Sequence, residues 1–179
     1  MESEIYFTDM TLAFKEWSFI VDALGKGRQS IILRKGGISE EGGDFDMKGQ
    51  KFVLYPTLFH QTEQMLKPQW LPFLDGNKFY PNPDKVKIQY YAEVANSSII
   101  TDWNTIAKLN NWHAWKEEVI RERFERWNKS VNLLVLQTFE LPQIYELDVL
   151  PQYGGCKSWI ELAPDIELIG KMVVNKNII

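Results

Sequence analysis

Hydrophobic and polar positions along this chain change period several times, and each change predicts an element. Val86, Ile88, Tyr90, Ala92 and Val94 alternate with Lys87, Gln89, Tyr91 and Glu93, the period of a strand with one face buried. Residues 30–33, 51–55 and 131–139 are apolar, β-branched runs of strand length; the last is continuous enough for the centre of a sheet, and Pro142 is expected to end it. Helical spacing recurs elsewhere. Phe14, Trp17, Val21 and Leu24, with Gly25 as a stop, predict an amphipathic helix over 11–24. Pro56 and Thr57 cap a second one running to Lys67, with Leu58, Phe59, Thr62, Met65 and Leu66 on one side and His60 nearly opposite. Asp102 caps a short helix through Leu109, and Trp112, Trp115, Val119, Ile120 and Trp127 form the apolar arc of a helix over 112–127, with Arg123 near the middle of the arc.

Between these elements, Pro68, Pro72, Pro81 and Pro83 lie among aromatic and polar residues and predict a long irregular surface excursion. Gly154 and Gly155 make a turn into a last strand near Trp159–Leu162, and the apolar tail beyond Pro164 adds one edge element. The pattern predicts an α+β fold in a single domain, residues 1–179, with a mixed or antiparallel sheet or small barrel and about four flanking helices.

Composition narrows the class. A chain of 179 residues that is 45% hydrophobic, with seven tryptophans, can bury a substantial core without disulfides or metals. Its single cysteine, Cys156, allows no internal disulfide, and residues 1–5 carry neither the basic nor the apolar region of a signal peptide, so a reducing cytoplasmic setting is expected. No window approaches the roughly 18 apolar residues that span a bilayer, and no membrane partner is expected. The net charge of -4 argues against indiscriminate polyanion binding and leaves room for a local basic cleft.

Candidate chemistry gathers where a strand end meets glycine. Arg34 and Lys35 close the 31–33 run and lead into Gly36 and Gly37, then Glu40, Glu41, Gly42 and Gly43. Such a loop can hold an anion with amides and cations, or it can be a hairpin tip with solvated charges. It is not a P-loop, because no Gly-Lys-Ser/Thr follows at the required spacing. His60, with Glu41, is a candidate general base or ligand contact, against the reading of an exposed or capping histidine. His113 reads as structural. Arg123 either lines a cleft, with Arg126 nearby and Trp115 or Trp127 offering stacking surfaces, or makes a buried ion pair to a glutamate such as Glu93. Cys156 reads as a structural thiol. A metal-nuclease element at Asp46-Met47-Lys48 with Glu16 or Asp22 is loosely spaced, and one cysteine with two distant histidines does not make a zinc site, so no metal or cofactor is expected.

Several blocks resemble DUF1802, a bacterial family of uncharacterised proteins: Lys15-Glu16-Trp17; Leu33 to Ile38 with Glu41 and Gly42; Leu54 to Thr57 with His60 and Gln61; the segment from Trp115 to Trp127; and Tyr153 to Trp159. They span about 12–162, leaving 163–179 as a C-terminal extension. Gln137 and Lys157 stand where the family pattern has arginine, which weakens any role for a fixed guanidinium there. The order of elements also looks like the small barrels of the PUA and ASCH superfamily, a likeness that implies RNA or modified nucleotides as ligands.

The leading expectation is a binding domain for a phosphate-bearing ligand or single-stranded nucleic acid, its cleft formed by Arg34, Lys35, Gly36, Gly37, His60, Gln61, Trp115, Arg123, Lys157 and Trp159. Two alternatives stand beside it: a hydrolase or metal-dependent nuclease acting on nucleic acid or nucleotides through His60 and Glu41, and a protein-interaction domain using exposed aromatics. RNA, DNA or a nucleotide is the expected partner.

Overall fold

The strand announced by the alternation at Val86 runs on to Ile100, and its hydrogen-bonding partner is longer still. These strands, β4 (Lys85–Ile100) and β5 (Val131–Asp148), pair antiparallel from Lys85↔Asp148 to Ile100↔Val131. The computed structural model describes residues 10–35, 47, 50–58 and 61–176. Around the central pair lie β1 (Thr11–Trp17), β2 (Ile31–Arg34), β3 (Lys51–Thr57), β6 (Trp159–Leu162) and β7 (Lys171–Met172). The strand order is β2-β5-β4-β3-β1-β6, with β7 beside β5, and only β1 and β3 pair in parallel. The expected α+β class is therefore realised as one mixed sheet, with three α-helices among the described residues: α1 (Ser18–Gly25), α2 (Trp103–Lys108) and α3 (Glu117–Glu125). None of these helices is long and apolar enough to cross a membrane.

Four boundaries differ from the sequence reading. Residues 11–17 form β1 and not the first half of a helix. β1 has neighbours on both edges and is buried on both faces, so its apolar residues do not alternate and match a helical spacing equally well. Pro142 does not end β5, because Ile88 pairs with Tyr145 and Tyr90 with Glu140; residues 141–144 bulge opposite Gln89, where proline takes no regular bond from the ladder.

No α-helix runs from Pro56 to Lys67. β3 continues through Pro56, on a stretch that β4, paired only over Lys51 to Val53, has already left, and a single 3-10 turn, Glu63–Met65, follows. Likewise 112–127 is not one helix. Residues 113–116 are extended because Trp115 forms a β-bridge with Leu66, fixed by Lys67 N donating to Ala114 O at 2.8 Å and Lys116 N to Met65 O at 2.9 Å. The helix starts only at Glu117, and α2 is capped as expected by Asp102, whose carboxylate accepts from Thr105 N.

The sheet is covered on both faces. Phe14, Phe52, Leu54, Ala92 and Leu134 turn to one side, against α1, Trp115 and the apolar residues of α2 and α3. Ala13, Val53, Tyr55, Tyr91 and Ile160 turn to the other, under Tyr153, Leu150 and Ile166 of the C-terminal segment. α1 is sequestered almost entirely, which fits a helix with little polar face.

Two titratable side chains are trapped beneath the Trp115 bridge. Lys67 donates to His113 O at 2.7 Å and to Asn110 O, and burial pulls its pKa down to about 8. The ring of His113, against Trp115, is buried next to Lys67 and Arg123; burial first and those cations second push its pKa down to about 3. It is neutral at pH 7. Below its unfolded pKa of roughly 6.5 only the unfolded chain takes up this proton, so stability falls as pH falls. Between pH 6.5 and 5 the unfolding free energy measured by urea titration is expected to drop by about 2 kcal/mol through this group, and His113→Gln should remove most of that slope.

Candidate functional site

The last residues of β1, β2 and β3 converge beside α3, where the chain leaves a cavity of about 430 Å³. Val119, Glu122, Arg123 and Arg126 come to its wall because positions three and four apart share one helix face. Lys15 and Trp17 enter from β1, Arg34 and Lys35 from β2, Thr57 from β3, and Gly155, Cys156 and Lys157 from the turn before β6.

Arg34 has two tasks here. Its strand and β6 terminate opposite ends of the sheet, and no ladder joins them among the described residues. Arg34 spans the gap: Nη1 donates to Lys15 O at 2.6 Å, Nη2 to Ser158 Oγ at 3.1 Å, and the guanidinium lies over Phe14 at 4.8 Å. Nη1 also stands 3.7 Å from the carboxylate of Glu16, which is 2% exposed and whose other oxygen accepts from Trp17 N. A carboxylate so enclosed requires positive charge nearby.

Arg123 supplies more of it. Its guanidinium lies over the adjoining rings of Trp17, at 5.1 Å, and Trp115, at 4.7 Å, and Nη1 donates to Leu33 O at 2.7 Å. Burial lowers its pKa to about 10, with Glu16 opposing the shift and Arg34 adding to it. It remains cationic at pH 7. Arg123 makes no ion pair among the described residues; Glu93 pairs with Lys51, and Glu16 is the carboxylate that most favours the Arg123 charge.

The remaining cations are committed to different degrees. Lys35 donates to Phe124 O, Ser130 O and the Asn128 side chain and carbonyl, pinning the turn after α3, and burial lowers its pKa. Lys15, 5% exposed, donates to Gly155 O at 2.8 Å; burial dominates its lowered pKa, with Arg34 and Lys157 lowering it further against Cys156. Arg126 pairs with Glu122. Lys157 is exposed and makes no hydrogen bond or ion pair among the described residues.

Of the residues singled out in the sequence, Arg34, Lys35, Arg123, Arg126, Cys156 and Lys157 meet at this cavity. Trp115 is fully buried and backs Arg123, leaving no face for a base. Trp159 is packed edge-on against Phe14 and Phe52. Gln61 stands apart from the cavity, donating to Ser18 Oγ at 2.8 Å. Gly36, Gly37, Glu41 and His60 lie outside the described residues, as do Asp46 and Lys48. Among the described residues no three His, Cys, Asp or Glu side chains stand together as metal ligands.

Sequence reasoning missed Lys15, Trp17 and Glu122 as cavity residues. A charged pair, Lys15-Glu16, inside a buried apolar run was the available signal, since such charges persist only when partnered.

The profile of a family described as a domain of unknown function (DUF1802) matches residues 13–177. No curated protein matches the chain. Two solved structures are similar: an ASCH protein from Zymomonas mobilis and a single-residue mutant of it, each 12% identical, with TM-scores of 0.44 and 0.45. The similarity covers 70% of this chain and 65% and 66% of those chains, so it spans less than two thirds of either relative.

Removing Arg34 should leave Glu16 buried without its nearest cation. Arg34→Met is expected to lower stability by about 3 kcal/mol, and pairing it with Glu16→Gln should recover part of that loss; a double-mutant cycle by chemical denaturation measures the coupling.

Proposed function

We propose, for a chain that belongs to the DUF1802 family, that the cavity beside α3 binds the phosphate of a phosphate-bearing ligand. The observation carrying this reading is the gathering of Lys15, Arg34, Lys35, Arg123, Arg126 and Lys157 around one concavity in a chain whose net charge is -4. Among the described residues, Glu122 at the wall and Glu16 beneath it oppose them. Crowded cations repel one another, and an anionic ligand relieves that repulsion.

The volume suits a small ligand or the end of a larger one. Arg34 and Arg123 spend only part of their five donors on the protein, leaving N–H groups for phosphate oxygens. Because those arginines are braced by Phe14, Trp17 and Trp115, binding forfeits little side-chain freedom. Cys156, exposed and unpaired, suits a reducing cytoplasmic setting.

Lys157 is the variant that separates binding from folding, since it is exposed and makes no hydrogen bond or ion pair among the described residues. Titrating the protein with inorganic phosphate, nucleotides and short single-stranded RNA at two salt concentrations is expected to reveal binding that weakens as salt rises. Lys157→Ala should weaken it several-fold with an unchanged Tm, and flatten the salt dependence by about one charge for RNA. Absence of binding across these probes, or affinity indifferent to both salt and Lys157, overturns the reading.

A further inference from the structure

The turn after α3 holds a residue whose conformation and exposure both run against stability. Trp127 has φ 62, the left-handed region that disfavours side chains, and its ring is 85% exposed. Where the described backbone adopts positive φ elsewhere, the residue is glycine, at Gly27 and Gly155. Position 127 follows the C-cap of α3, where glycine is the ordinary choice. Folding alone gives no reason for tryptophan there.

Its neighbours give one. Arg126, on one side, is part of the cavity wall. Asn128, on the other, is held by Lys35, itself a cavity residue, and Lys129 beyond it is exposed. The turn is pinned, and its exposed indole belongs to the residue directly after the cavity-wall Arg126 and two before the exposed Lys129.

Resting on the phosphate reading above, we propose that the ligand is a single strand of nucleic acid, with one phosphate in the cavity and an adjoining base stacked on Trp127. A pinned, solvent-facing indole beside cations is what sequence-tolerant recognition of an unpaired base requires. A free phosphate or a mononucleotide seated in the cavity would not need it. A membrane surface fits less well, since it would meet this single exposed ring on an otherwise charged turn, and the cations line a hollow and not a flat patch.

The test uses the full chain and a labelled single-stranded oligonucleotide of roughly ten nucleotides, read by fluorescence anisotropy at low salt. Trp127→Gly is expected to weaken its binding about tenfold or more while leaving competition by inorganic phosphate unchanged; Trp127→Phe should keep most of the affinity. Thermal unfolding supplies the readout a structural role would not produce, because glycine accepts this φ and the variant should keep or raise Tm. Unchanged oligonucleotide affinity in Trp127→Gly overturns the proposal while phosphate competition still upholds the cavity. Loss of both oligonucleotide and phosphate binding from the unaltered protein sinks the cavity reading and this one with it. Trp127-dependent binding to anionic phospholipid vesicles, without oligonucleotide binding, would assign the turn to a membrane and overturn the proposal.

Discussion

The organising constraint is a buried carboxylate at the place where the sheet fails to close. Glu16 sits near the end of β1 with almost no exposure, and the strands that end the sheet, β2 and β6, share no ladder among the described residues. One side chain meets both requirements. Arg34 approaches Glu16 and bonds across the gap to Lys15 O and Ser158 Oγ, so charge compensation and sheet geometry are coupled in one guanidinium. One oxygen of Glu16 accepts from Trp17 N and the other has no hydrogen bond among the described residues, so its compensation rests on the nearby guanidinium charge.

From that pairing the cavity follows. Arg123 on α3 adds charge that favours the same carboxylate and lies over both Trp17 and Trp115, which ties the helix to the strand ends. Lys35 fastens the end of α3 through carbonyls, where a cation also complements the helix dipole. These groups hold the wall in place. Lys157 contributes charge without a hydrogen bond or ion pair among the described residues, and the mixture of committed and uncommitted cations separates what builds the hollow from what can meet a ligand there.

The histidine beneath the wall is handled oppositely to the arginines. His113 is kept neutral by burial and by the cations around it, whereas Arg123, though also lowered, stays charged because its intrinsic pKa is so high. The positive potential of the cavity therefore comes from arginine and lysine, and His113 belongs to the packing under Trp115.

How much of this was legible beforehand depends on whether a residue's neighbours are near in sequence. The alternation around Val86 to Val94, the Asp102 cap and the Arg34-Lys35 strand end depend on local spacing, and the pattern alone identified them together with the α+β class. β1 was hidden because a strand buried on both faces loses its period, and Trp115 looked helical until Leu66, far away along the chain, paired with it. Pro142 carried a stop signal that a bulge opposite Gln89 cancelled. The meeting of Arg34, Arg123 and Lys157 needed contacts between β2, α3 and the turn before β6, successively 89 and 34 residues apart along the chain, and spacing carries no information at that range. Sequence thus determined which residues had to be buried and which charges needed partners. Only the tertiary structure decided which partner each one found, because that choice is made by packing across the sheet and its unclosed edge.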